Sequence, residues 1–102
     1  MRACVVVSVA ADLEDAVALA AALVRAGLEV SVFAMSDAVA ALADRRDLQT
    51  QLVDVDADVA ICASSAHQRG LGGDAFLADI VRGSQDDHAR MVAHADRVVS
   101  FS

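Results

Sequence analysis

The sequence predicts an α/β fold: a single-domain, three-layer sandwich with helices on both faces of an open, mainly parallel sheet of about five strands. Three observations lead there. Short apolar runs alternate with stretches of helical periodicity along the whole chain, the order that βα units produce. Several of those runs are apolar at consecutive positions, as strands covered on both faces require. The chain has 102 residues, 57% of them hydrophobic, which suits one domain over 1–102 with its own core and leaves no room for two.

Residues 2–9, RACVVVSV, form the first strand, with Cys4 inside it as a core residue. Asp12 is placed to cap the next helix, and Glu14 and Asp15 in its first turn face the positive end of the helix dipole. Leu13, Val17, Ala20 and Val24 repeat at helical spacing, and Gly27 ends the helix. The turn before this helix lacks a glycine-rich phosphate fingerprint, so no dinucleotide site is expected. Residues 28–34, LEVSVFA, make the second strand. Ser36 or Asp37 starts a short helix over 37–44 that carries Val39 and Leu42. The run Asp44-Arg45-Arg46-Asp47 reads as a charged surface link. Residues 48–55 fit either a short helix or an irregular return to the sheet. Asp54, Asp56 and Asp58 read as solvated acids, because a calcium loop would need a glycine and a distal Glu that are missing.

The third strand occupies 58–63 and carries Cys62. A short helix follows over 64–69, Gly70 stops it, and Gly72-Gly73 loosens the next loop. Residues 74–83, DAFLADIVRG, fit two templates: Phe76, Leu77, Ile80 and Val81 have helical spacing, and a short strand fits 79–83. Ser84 caps the last helix, with Gln85, Asp86 and Asp87 in its first turn and His88, Met91, Val92 and Ala95 on its inner stripe. His88 and His94 have no metal-pair spacing and read as surface or half-buried residues. Residues 97–101, RVVSF, make the last strand.

Composition excludes several classes of function. A net charge of −7 argues against nucleic acid and anionic membranes as partners. No apolar run approaches the roughly 20 residues of a membrane span. The N-terminus enters a strand directly, without the pattern of a signal peptide, so a reduced, cytoplasmic protein without a Cys4–Cys62 disulfide is expected. Every basic residue is arginine; without lysine, neither a Schiff base nor a Walker A loop can form. Tryptophan and tyrosine are absent, so there is no stacking platform for bases. Proline and a C-x-x-C pair are also missing, which speaks against a thioredoxin-like site. No metal or organic cofactor is expected.

The stretch that can carry chemistry is 58–71, DVAICASSAHQRGL. It delivers a thiol, Cys62, to a strand end where a helix begins. Unpaired N–H groups there favour a thiolate. Ser64 and Ser65 can add hydrogen bonds. Arg69 supplies either a fixed positive charge or an ion pair with a nearby aspartate. His67 ranks below Arg69, as an aid to proton balance. In open α/β sheets, sites form outside the carboxyl ends of strands near a topological switch point, and Cys62 stands at such an end. The plainer reading of Cys62 is a small buried hydrophobe.

The run Cys62-Ala63-Ser64-Ser65-Ala66-His67-Gln68-Arg69-Gly70-Leu71 resembles the Cys-x(3)-Ala-x(2)-Arg-Gly-aliphatic segment of the DsrE/TusD-like (DsrE/DsrF-like) sulfur-relay family. Gly83-Ser84, and then Ala95-Asp96-Arg97-Val98-Val99-Ser100-Phe101, resemble that family's closing helix and strand. Ala26-Gly27-Leu28-Glu29-Val30-Ser31-Val32-Phe33 is similar to its second strand. The resemblance implies a flavodoxin-like fold, a strand near 78–83, and a homo-oligomer, trimer or hexamer. It also implies that Cys62 accepts sulfur as a persulfide and passes it to a partner thiol, such as a TusA-like carrier. Relay subunits of the family commonly have a longer loop after the first strand, which this chain shortens to residues 10–15. The rival expectation is a non-catalytic oligomeric or partner-binding subunit with a buried, inert Cys62. A small-molecule site in the strand-end crevice comes last, because no phosphate loop or aromatic box supports it.

Overall fold

The computed structural model describes residues 1–102. Its central strand is β1 (Arg2–Val7), whose apolar run is buried from Ala3 to Val7. Such a strand needs neighbours on both edges, and it has them: β2 (Glu29–Ala34) on one side and β5 (Arg97–Phe101) on the other. β3 (Asp58–Cys62) lies beyond β2, and the three-residue β4 (Val81–Gly83) closes that edge. The order is β4-β3-β2-β1-β5, and every pairing is parallel. Val5 lies level with Val32 and Val99, and Cys62 with Gly83.

The two faces are covered unequally. α1 (Leu13–Arg25), α2 (Asp37–Ala43), α3 (Arg46–Asp54) and α4 (Ala63–Gln68) pack on one face. There Val5, Val32 and Ile61 meet Val17, Val39, Leu42 and Leu52 in the main core. The chain reaches β5 from β4 through α5 (Gln85–His94), which crosses the other face alone. Beneath it sits a small cluster of Phe33, Ala60 and Cys62, bordered by Met35 and Met91. Along β3, Val59 and Ile61 therefore serve the thick side and Ala60 and Cys62 the thin one, the alternation that a pleated strand imposes. No residue of α5 is itself buried. β5 is exposed on both faces, with Val98 at 44% and Val99 at 37%. No helix is long and apolar enough to cross a membrane.

The three-layer, flavodoxin-like α/β architecture expected from the sequence is present, and several local expectations change. β1 ends at Val7 rather than at 9. Asp12 closes a short 3-10 turn (Ala10–Asp12), and its side chain caps nothing. The charged run 44–47 is not a plain link, because Arg46 opens α3 and the ambiguous 48–55 stretch is mostly that helix. Leu48 and Leu52, one turn apart, bury the inner side of α3, which settles its conformation. Residues 74–83 follow neither template throughout. A 3-10 turn (Gly73–Ala75) leads to an irregular segment anchored by buried Phe76 and Ile80, and only then to β4.

Gln49 holds that segment. It is 0% exposed. Its amide donates to the carbonyls of Leu42 at 2.9 Å and Ala75 at 3.1 Å, and its oxygen accepts from Leu77 N–H at 2.8 Å. A buried polar group fully satisfied in this way stabilises its surroundings, whereas partners left unpaired cost about 1–3 kcal/mol. Gln49→Leu is therefore expected to lower the urea midpoint, with a loss of roughly 2 kcal/mol and an unchanged slope.

Candidate functional site

β3 runs into α4 without a loop, so Cys62 is both the last strand residue and the N-cap of the helix. Its backbone is extended, with φ −71° and ψ 113°, as an N-cap requires. Its sulfur accepts the Ser65 N–H at 3.5 Å, a place usually taken by a serine or aspartate oxygen. A second donor comes from the opposite side: Gln85 Nε2, on the first turn of α5, lies 3.7 Å from the sulfur. Cys62 is 5% exposed.

These surroundings act on the thiol in opposite directions. Burial pushes its pKa up, since a thiolate loses solvation there. The Ser65 hydroxyl, the Ser65 N–H, the Gln85 amide and the Ser64 N–H push it down, and the net result lies below the ordinary cysteine value. The second cysteine shows the contrast. Cys4 is fully buried, and burial outweighs a hydrogen bond with Ser31, so its thiol is pushed up. Both cysteines are free.

Ser65 is itself positioned. Its oxygen accepts the Ser36 N–H at 2.9 Å, which leaves the hydroxyl proton for the sulfur. Ser36 aims that N–H from a conformation rare for a side-chain-bearing residue, φ 54° and ψ −136°. The side chain of Ser36, expected as a cap of α2, makes no capping bond. Arg69 does not reach the sulfur. It donates to the Ser65 carbonyl at 3.1 Å and pairs with Asp37 at 2.9 Å, so of its two expected roles the geometry displays the ion pair, which ties α4 to α2. Ser64 contributes through its backbone, and its side chain is exposed. His67 is exposed and takes no part in the hydrogen bonding of the sulfur.

Two residues at the site were not anticipated. Gln85 looked like an ordinary first-turn residue and His88 like part of an inner stripe. In the structure His88 Nδ1 lies 3.2 Å from Gln85 Oε1, and the His88 ring stacks on Phe33 with centroids 5.0 Å apart. The only sequence signal was the helix start at Ser84. That start is formed by a capping box, in which Ser84 accepts from the first turn and Asp87 accepts the Ser84 N–H.

The topology places the site between neighbouring strands: β3 leads into α4 on one face and β4 into α5 on the other, so Cys62 stands where adjacent strand ends send their helices apart. Two clefts of about 350 and 280 Å³ lie along α5 beside Asp58, Arg90 and Met91, and neither is lined by Cys62. No three His, Cys, Asp or Glu side chains gather closely enough to hold a metal ion.

Fold and site together define an all-parallel α/β protein with one ionisation-prone cysteine at a strand-to-helix junction. The chain belongs to the DsrE/DsrF-like family, whose model matches residues 1–101. Membership supports a sulfur-relay type of family. No curated protein sequence matches the chain significantly. Among solved structures, the ychN protein from E. coli superposes with a TM-score of 0.84 at 24% identity, over 99% of this chain and 100% of that one. A conserved protein of unknown function from Bacteroides thetaiotaomicron gives 0.79 at 9% identity, over 98% of this chain and 94% of that one. Both likenesses support the fold.

Ser65→Ala keeps the backbone N–H and removes the hydroxyl. The Cys62 midpoint, read from iodoacetamide alkylation against pH, is expected to rise by roughly half to one unit. The lowered pKa also ties ionisation to stability. The folded thiol ionises before the unfolded one, so wild type should gain stability relative to Cys62→Ser as pH rises through the folded midpoint. The gain is complete above the unfolded pKa and is lost as pH falls back through the folded one. Urea midpoints of the two proteins at about pH 6 and pH 9 check this sign.

Proposed function

We propose that this protein carries sulfur as a persulfide on Cys62 and exchanges it with the thiols of partner proteins. The observation that carries the reading is the convergence of donors from α4 and α5 on a single sulfur, with a net lowering of its pKa. In the loading step the Cys62 thiolate attacks the outer sulfur of a donor persulfide. The donor S–S bond breaks, the donor leaves as a thiolate that takes a proton from water, and a Cys62 persulfide forms. In the unloading step an acceptor thiolate attacks the outer sulfur, and the Cys62 thiolate leaves. No net oxidation or reduction occurs, and no metal or organic cofactor takes part. The donors around the sulfur serve both steps, because they stabilise the attacking group in the first and the leaving group in the second.

The burial of Cys62 does not block this exchange by itself. The transferable sulfur would sit about 2 Å beyond Cys62 Sγ, so the partner thiol has to reach that outer atom and not Sγ itself. A TusA-like carrier is the kind of partner that fits, since it too would present a thiol. A homo-oligomer, trimer or hexamer, fits the uncovered valines of β5, and a reduced cytoplasmic setting fits two free cysteines. The shortened segment over 10–15 bears on which partner docks.

One observation favours a second reading. At 5% exposure Cys62 is nearly closed off, as it would be in a non-catalytic, partner-binding member of the family. Intact mass after incubation of the reduced protein with polysulfide separates the two. The carrier reading expects a reducible gain of one sulfur in wild type and in Cys4→Ser, and none in Cys62→Ser. No gain in wild type, or a gain that survives Cys62→Ser, would sink it.

A further inference from the structure

We propose that Gln85 and His88 are positioning residues for the Cys62 sulfur: Gln85 presents its amide N–H to the sulfur, and His88 determines which end of that carboxamide faces it. The proposal deepens the carrier reading of Cys62 and takes its purpose from it. A carboxamide has a donor end and an acceptor end of nearly the same shape. Turned one way, Gln85 stabilises a thiolate or a leaving sulfur; turned the other, it sets an oxygen lone pair against negative charge. Gln85 lies on the exposed surface of α5, where nothing in the backbone chooses between these orientations. The choice falls to its second contact. His88 Nδ1 lies 3.2 Å from Gln85 Oε1. With hydrogen on Nδ1, the ring donates to that oxygen and turns the NH2 group toward Sγ, at 3.7 Å.

The histidine is held in turn. Its ring lies on Phe33 with an interplanar angle of 24°, and Phe33 is a wholly buried residue of β2. The chain of contacts therefore starts in the rigid sheet and reaches the sulfur through one stacked ring and one amide. The charged groups nearby have other partners. Asp87 on α5 is bound to Ser84 and Arg90, and Arg69 on α4 to Asp37. Asp86 is exposed on the same turn of α5.

The test is site-resolved alkylation of Cys62 against pH in the full chain, followed by peptide mass. Gln85→Leu is expected to raise the Cys62 midpoint by roughly half to one unit, and Gln85→Glu to raise it further. The two His88 variants separate a hydrogen bond from mere packing. His88→Asn places an amide N–H near the position of Nδ1 without the ring, and should stay near wild type. His88→Phe keeps the ring on Phe33 without the donor, and should move toward Gln85→Leu. If Phe is neutral and Asn shifts the midpoint, the ring acts by packing and the role of His88 is overturned. An unshifted midpoint in Gln85→Leu overturns the whole proposal. The readout uses no sulfur donor, so it fails separately from persulfide loading. A shifted midpoint without loading removes the carrier reading and leaves the positioning intact; loading with an unshifted midpoint does the reverse.

Discussion

The pleat of β3 decides what its cysteine becomes. Neighbouring side chains on a strand point to opposite faces, so the pairing of β3 with β2 and β4 commits Cys62 to one of them. On the side of α1 to α4 it would join Val59 and Ile61 in the main core, away from the Gln85 amide of α5. On the side of α5 it meets a thin cover that offers polar groups. A slip of one residue would exchange the two environments. The apolar anchors of the thick side, Ile61 above all, hold the register that leaves the thiol on the thin side.

The thin side also sets the electrostatic balance. Cys4 points to the same face, but it is fully enclosed and burial outweighs its hydrogen bond with Ser31, so its thiol is pushed up. A fully solvated cysteine would have no ordered donors. Cys62 lies between these extremes: little surface is exposed, yet four donor groups from two helices converge on it. None of them carries a formal charge. The nearest arginine of α4 supports Ser65 and leaves the sulfur alone, so the tuning comes from dipoles oriented by the fold.

Much of this was legible in the chain, for identifiable reasons. Runs such as Val5-Val6-Val7 and Val59-Ala60-Ile61 announce covered strands by composition, and Ser84 announces a helix by its capping chemistry. The cysteine at the end of β3 and its family segment were legible for the same local reasons, and the strand near 83 only through the family resemblance. What escaped was non-local. Gln85 lies 23 positions from Cys62 and reaches it only because α5 crosses the sheet from β4 to β5. The segment 74–83 resisted assignment because its shape is dictated by Gln49, a buried amide on another helix. Arg69 offered two roles on paper, and only the position of Asp37 on α2 shows which one it takes. The strand order was equally hidden, and with it the departure of α4 and α5 from neighbouring strands to opposite faces.

The crossing of α5 has a consequence for how the protein comes into being. β1 is made well before β5 and finds its partner on one edge only when β5 arrives, and the helix that covers Cys62 is made just before β5. During synthesis the nascent chain therefore passes through a stage in which β3 and its cysteine exist and Gln85 does not. Over that interval the thiol has only the α4 side of its hydrogen bonds, and that face of the sheet has no helix over it. The mature character of Cys62 is thus conferred by a helix made after its own strand, so a product truncated or stalled before α5 would retain the nucleophile without the environment that governs it.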